Sequence, residues 1–482
     1  MLALTLAASC VLPPKDQPQL KPIPDKALGL GSTPAPKVEN GWWQAYGDPQ
    51  LDQLVTGTLK QNPSLGQALA RIRVAQAQAQ YATAESRPGV TLEGQAQRER
   101  YPEKFIYPPP FGGGVYWQSA LQANLSWDLD FWGRQAALIQ QARDQADAAR
   151  LDAAAAALAI SGALSQAYVD LYRADAHADL AAREEQQRQQ ILDITRRRVA
   201  AGLDTDVELH QAESALPQAR LAALQAQAAA DLAVHRLAAL AGMGADAYAG
   251  IHKPTVNLEA ALPVPAQLPA DLLGRRPDVL AARARVEASR AGLKAAKAAF
   301  YPDINLSVFA GFQAIGLGNL LQMPDSTYGA GPALSLPLFK SIRLTSRYRE
   351  ATAAEDAAIA DYNDTVLQAV QQVADQLTLL RSGERQLAEA RAARSAAEAA
   401  YDLDLRRYKA GLASYLSVLS AETAVLQTRR EEVDTLTAQA IARVALLLYC
   451  GGSFDPAVPA AAPAAAAAAT PPHSLAVSET RP

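Results

Sequence analysis

The chain repeats itself, and that repeat limits its fold more than any single motif does. Residues 63–98 align without a gap to 277–312 at an offset of 214 (277 − 63). Pro63-Ser-Leu answers Pro277-Asp-Val, Arg71-Ile72 answers Arg285-Val286, and Pro88-Gly-Val-Thr-Leu answers Pro302-Asp-Ile-Asn-Leu. Further along the offset becomes 209: Leu125-Ser126 answers Leu334-Ser335, and Arg198-Val-Ala-Ala-Gly202-Leu203 answers Arg407-Tyr-Lys-Ala-Gly411-Leu412. The five-residue difference falls between Pro88 and Leu125, in a Pro/Gly-rich stretch where loops accept insertions. A length of 482 residues suggests about three ordinary domains. The repeat instead gives two copies of one unit.

Each unit reads as helix, strand, loop, strand, very long helix, tight turn and long helix. No proline interrupts 134–201 or 343–410, so each stretch predicts a rod of ~100 Å at 1.5 Å per residue. The residues are rich in Ala, Leu, Gln, Glu and Arg, all strong helix formers. Ile359, Tyr362, Val366, Ala369, Val373, Leu377 and Leu380 recur at spacings of three or four, a narrow coiled-coil seam. Gly202 and Gly411 are placed to end the rods and reverse the chain. Such antiparallel hairpins are too long for a compact globule.

Between the helices the period changes from 3.6 to 2. Trp117, Leu121, Ala123, Leu125, Trp127 and Leu129 alternate with Gln118, Gln122, Asn124, Ser126 and Asp128. The same alternation runs through 302–312 and 328–338, and more weakly through 88–98. Strands of about ten residues with one apolar and one polar face suit a bilayer-spanning barrel. Four strands per chain are too few to close one, since the smallest barrels have about eight. An open edge in lipid leaves backbone groups unsatisfied at several kcal/mol each. The chain is therefore expected to oligomerise, with polar strand faces lining a lumen that the helices continue.

Other classes fit poorly. The balance of 45 basic against 49 acidic residues gives no footprint for nucleic acid. Two cysteines, Cys10 and Cys450, make neither a disulfide framework nor a zinc site, and the five histidines are scattered. No P-loop, GxSxG or CxxC is present, and no apolar run reaches the ~18 residues of a membrane-spanning helix. Neither a cofactor nor an enzymatic activity is expected. The start, MLALTLAASC, resembles the end of a lipoprotein signal over residues 1–10, with Cys10 as the residue to be acylated. Residues 11–41 read as an extended segment and 453–482 as a disordered Pro/Ala tail.

Several motifs, in order, resemble one family. Trp42-Trp43-Gln-Ala-Tyr46-Gly47-Asp48-Pro49, Ser126-Trp-Asp-Leu-Asp-Phe-Trp132-Gly133-Arg134 and Gly274-Arg275-Arg276-Pro277-Asp278-Val279 are similar to stretches of TolC-like outer membrane efflux proteins, the NodT-type lipoprotein branch in particular. The resemblance covers roughly 42–452. It implies an α+β membrane protein: a homotrimer with a 12-stranded outer membrane β-barrel continued by a periplasmic α-helical barrel. The first repeat would span 42–243, an equatorial segment 244–275 and the second repeat 276–452. The implied function is the exit duct of a tripartite efflux system in the outer membrane of a Gram-negative bacterium. Its partners would be a periplasmic adaptor, an inner membrane RND-type pump and outer membrane lipid. A type I secretion channel and a pore-less coiled-coil adaptor are the alternatives.

The resemblance also points to sites. The tips Gly202-Leu203 and Gly411-Leu412 would receive the adaptor. Family acids that close the duct, six and nine residues after the second tip glycine, fall here on Ser417 and Ser420, while the aromatic three residues before it is kept as Tyr408. In the first repeat Glu208 keeps the acidic position, with Asp204 and Asp206 beside it, so three chains would bring up to nine carboxylates to the narrow end. Like charges repel, so closure is expected from packing by Tyr408 and Leu416. Glu208 is expected either to accept a Tyr408 hydrogen bond or to set cation preference.

Overall fold

A computed structural model describes residues 14–104, 111–318, 320–336 and 341–455. Cys10, Leu338 and nearly all of the Pro/Ala tail lie outside the described residues. In the first repeat, helices α1 (Pro49–Gln61) and α2 (Pro63–Glu85) lead into strands β1 (Gly89–Arg100) and β2 (Val115–Leu129). The rod α3 (Arg134–Ala200) and the return helix α4 (Asp206–Leu240) follow. The second repeat has a four-residue turn of helix, α5 (Leu272–Arg275), then α6 (Pro277–Ala298), β3 (Asp303–Ile315), β4 (Ser326–Ser335), the rod α7 (Ser341–Lys409) and α8 (Tyr415–Tyr449). The rods are 67 and 69 residues long, or ~100 Å.

The four strands form one antiparallel sheet in the order β1-β2-β3-β4. Register keeps the two faces distinct. Leu92 lies opposite Ala123 and Ala123 opposite Ala310, while Glu93 lies opposite Gln122 and Thr91 opposite Asn124. The β2–β3 pairing, with Leu125 opposite Val308 and Asn124 opposite Phe309, joins the two repeats. Because side chains alternate with period 2, a one-residue slip would turn every apolar group inward. Among the described residues, β1 and β4 each have one unpaired edge.

The helices extend the same four-wide wall. Beneath the sheet they run α2, α3, α6, α7, and lower down α4, α3, α8, α7. The two rods pass through both tiers; the shorter helices fill beside them. Contrary to the expectation from the sequence, one stretch of α3 is long and apolar enough, by length and composition alone, to cross a membrane. It lies in a helix packed on α2, α4, α6 and α8, and its apolar character comes from the alanines that close helix packing uses.

The wall is held at mid-height by the predicted seam of α7. Ile359, Val366, Ala369, Val373, Leu377 and Leu380 are buried. Val366 and Ala369 meet Leu28 and Val279; Val373, Leu377 and Leu380 meet Ala35, Leu272, Ala442 and Leu446. The N-terminal segment lies along this rod in the same direction. Asp16 pairs with Arg349 at 3.0 Å, the Gln19 and Leu20 amides donate to Asp356, and the Ile23 amide donates to Asn363. A larger core gathers Trp42, Trp43, Tyr46, Leu51 and Val55 around Leu164, Tyr168 and Leu171 of α3, with Leu258 and Leu262 of the inter-repeat segment. The Asp48 carboxylate is enclosed there and accepts from the Tyr168 hydroxyl (2.7 Å) and the Thr255 amide (2.7 Å).

Candidate functional site at the hairpin tips

Both rods end in the same local geometry. At the first tip the Gly202 amide donates to the Val199 carbonyl (2.9 Å) and the Leu203 amide to Arg198 (2.9 Å). At the second, Gly411 donates to Tyr408 (3.0 Å) and Leu412 to Arg407 (2.8 Å). This is the paired-bond helix ending that requires a left-handed residue, and Gly202 and Gly411 have φ of 71° and 77°. A Cβ on Gly202 would meet nothing within 4 Å. The demand for glycine is therefore conformational, and Leu203 and Leu412 stand exposed beside it.

The return helices start differently. Thr205 caps α4 and forms a reciprocal box with Glu208: the Val207 amide donates to the Thr205 hydroxyl (3.3 Å) and the Thr205 amide to Glu208 Oε2 (2.9 Å). Glu208 is thus committed to its own helix, and those hydrogen bonds hold its carboxyl below the usual range. The equivalent position of the second repeat is Ser417 (208 + 209). There Ser414 is the cap, accepting from the Ser417 amide (3.4 Å), and the Ser417 hydroxyl donates to Asp404 of α7 (2.8 Å). Ser420 is exposed.

Tyr408 is fully buried and joins the two hairpins. Its hydroxyl donates to Asp204 Oδ2 (2.7 Å) and lies 3.0 Å from the Thr195 hydroxyl. Asp204 is gripped at both oxygens by Arg198, at 2.8 and 2.9 Å. The same guanidinium donates to the Tyr408 carbonyl (2.9 Å) and lies over the Tyr408 ring, 4.6 Å from its centroid. The Arg198 hydrogen bonds are the largest cause that holds the Asp204 carboxyl below the usual carboxylate range, with the Tyr408 bond adding to them. Burial pushes the Tyr408 hydroxyl up to about 12. Tyr415 meets Tyr408 edge to face, ring centroids 6.3 Å apart.

Three expectations change on this geometry. The acceptor of the Tyr408 hydrogen bond is Asp204, because Glu208 is already engaged by Thr205. The packing partner of Tyr408 within the chain is Tyr415, since Leu416 points away and is 65% exposed. The nine-carboxylate ring loses its Asp204 members to Arg198, leaving Asp206 as the exposed acid of that turn. Arg198, Thr195 and Tyr415 were missed as site residues. The one signal available was the break in repeat symmetry: Tyr408 answers Val199 and Asp204 answers Ala413.

Comparison with known proteins places this geometry. The family model described as "Outer membrane efflux protein" matches residues 54–243 and 268–452, one match per repeat. The fusaric acid resistance protein FusA of Burkholderia cepacia is 36% identical over 363 residues, covering 73% of this chain and 68% of its own. The multidrug resistance outer membrane protein MdtP of Shigella flexneri is 31% identical over 480 residues, covering 94% of this chain and 95% of its own. The crystal structure of the outer membrane protein VceC of Vibrio cholerae superposes with a TM-score of 0.82 at 34% identity, over 87% of this chain and 100% of that one. With two matched repeats, four strands and paired rods in common, the chain belongs to the outer membrane efflux protein family: a TolC-like outer membrane efflux channel and not an enzyme.

Proposed function

We propose that the chain is the exit duct of a tripartite efflux system, working as a homotrimer. The single observation behind this reading is the four-wide wall with two unfinished sides. One side presents β1, α2 and α4; the other presents β4 and α7. Exposed apolar residues stand on the helices of both: Val74, Tyr81, Leu221 and Leu224 on the first, and Leu367, Leu379 and Leu403 on the second. No residue of α2 is buried within one chain. Different surfaces that match head to tail build a closed ring when the rotation closes. Three copies give 12 strands, above the minimum for a barrel in lipid. Heat-modifiable migration of a trimer from detergent-solubilised membranes tests this; a monomer that stays membrane-inserted contradicts it.

The tips Gly202-Leu203 and Gly411-Leu412 are the docking points for a periplasmic adaptor, and an inner membrane RND-type pump supplies the cargo of small molecules. Replacing Gly411 with a bulky residue strains the positive φ and re-aims Leu412, so efflux should fall while trimers persist. Normal efflux from such trimers removes the docking assignment. The gate is the Tyr408 junction, with Leu416 left on the surface to meet a neighbouring copy.

Cys10 carries the lipid. Asp16 lies against Arg349, eight residues below the start of α7 and so ~12 Å from it. Six further residues reach at most ~20 Å. That reach is long enough for an acyl group at Cys10 to meet the periplasmic face of the barrel.

A further inference from the structure

The two hairpins meet along one line, α3 against α8, and polar side-chain pairs cross it at three levels. His177 lies 2.8 Å from Asp434, Arg430 lies 3.1 Å from Glu184, and Arg188 lies 2.9 Å from Glu422. The first two reach solvent through at least one partner; in the third, side-chain exposure is 9% for Arg188 and 1% for Glu422. The approach is one of charge without alignment: neither Glu422 oxygen, nor Arg188 Nη1, has a hydrogen-bond partner among the described residues. The repeat supplies a control. Glu422 answers Glu213 (422 − 209), which is 40% exposed and pairs with Arg196 at the surface.

A buried pair of this kind contributes little net stability compared with apolar residues of the same volume. Its position suggests another use. It lies beside Tyr401 and Tyr415, two members of the apolar cluster that also holds Tyr408, with Ile191 and Leu192 of α3, Leu216 of α4 and Val425 of α8. We propose that Arg188 and Glu422 form a proton-sensitive clasp that positions the second hairpin against the first and so biases the Tyr408 gate. The inference rests on the gate reading above.

The groups facing Glu422 come from every neighbouring element. Arg188 and Glu184 project from α3, Tyr401 from α7 and Tyr415 from α8 itself. Burial raises the Glu422 carboxyl to about 7, against the pull of Arg188 and with a smaller push from Glu184. Burial likewise raises both tyrosines. The sign follows. A carboxyl with a raised pKa in the packed state favours that state at low pH, and the advantage is lost as pH rises from the ordinary glutamate range to about 7. Opening that hydrates Glu422 therefore releases one proton per protomer, shifting the open-to-closed ratio by up to about tenfold per pH unit in that window. Above about 7 the effect flattens.

Two readouts on the trimer in lipid test this. Infrared difference spectroscopy should show a protonated carboxyl that titrates near 7 and is missing in Glu422→Gln. Titration in the ordinary glutamate range overturns the inference without any variant. Single-channel recording should show an open-to-closed ratio that rises by more than about tenfold from pH 5 to 7 in the wild type and stays low and flat in Glu422→Gln. Arg188→Gln, having lost the attraction that lowers Glu422, should move the wild-type curve to higher pH. A Glu422→Gln channel that keeps the wild-type profile defeats the clasp. Conductance of Tyr408 variants, read separately, reports on the gate itself.

Discussion

The two hairpin tips share a backbone and differ in chemistry. Each rod ends at a left-handed glycine followed by leucine, with the same two closing hydrogen bonds. Around that common turn the first repeat places Val199, Asp204 and Glu208, and the second places Tyr408, Ala413 and Ser417. The first tip is self-contained, closed by its capping box. The second lends Tyr408 to the first and takes its anchor from Arg198 and Asp204. Duplication supplies the wall; the junction between the halves comes from residues that ceased to match.

Breaking Tyr408 should have the largest effect. Tyr408→Ala removes the ring under Arg198 and the bond to Asp204, and resting single-channel conductance should rise severalfold. Val199→Ala, at the matching position, should leave it unchanged; equal effects would abolish the contrast. Tyr408→Phe and Asp204→Asn are milder. Tyr408→Phe removes the hydroxyl's bond to the Asp204 carboxylate, about 1.5–3 kcal/mol, whereas Asp204→Asn removes the charge that Arg198 grips at both oxygens and keeps only one acceptor atom for the three bonds made there; each should raise conductance less than the alanine variant.

Acid provides a sharper separation. The Asp204 carboxyl is held below its ordinary range, so the stability it gives is complete above that range and lost only as pH falls through its lowered value. Acidification to pH 5 should therefore leave the Tyr408–Asp204 bond intact, as an Asp204→Asn channel compared with wild type across pH 5–8 would show. The caps should differ more quietly. Thr205→Ala should loosen the start of α4 by about 1 kcal/mol, and Ser414→Ala should loosen α8 by less, because Ser417 completes no box. Hydrogen exchange of the two first turns measures both. The smallest effect is expected from Cys10→Ser, which should remove lipid labelling but not barrel insertion. One acyl chain is a marginal anchor, and insertion that fails with it would show that the sheet depends on the lipid.

The wall was legible in the sequence because its signals are local. Period-2 alternation marked all four strands, proline-free stretches rich in helix formers marked both rods, and the seam from Ile359 to Leu380 is the buried face of α7. The gate was only half legible. Tyr408 stood out by its place relative to Gly411, but its acceptor is chosen by where the first turn falls beside the second rod, 204 residues away in sequence. Glu208 matched a family position, yet at N3 of a helix capped by Thr205 the nearest unsatisfied amide claims it first. Glu422 gave no signal at all: on a helix of otherwise ordinary composition, burial follows from how two hairpins meet.

The N-terminal segment along α7 has a consequence for folding order. Its amides bond to side chains 336 to 340 residues later in the chain. Contacts of such long range close slowly, because the loop entropy is lost before the contact is made. This segment is therefore among the last parts of the chain to settle, waiting for the second rod to exist. Until then the strip of the second rod that this segment covers, from Arg349 to Asn363, stays open to water and to other chains.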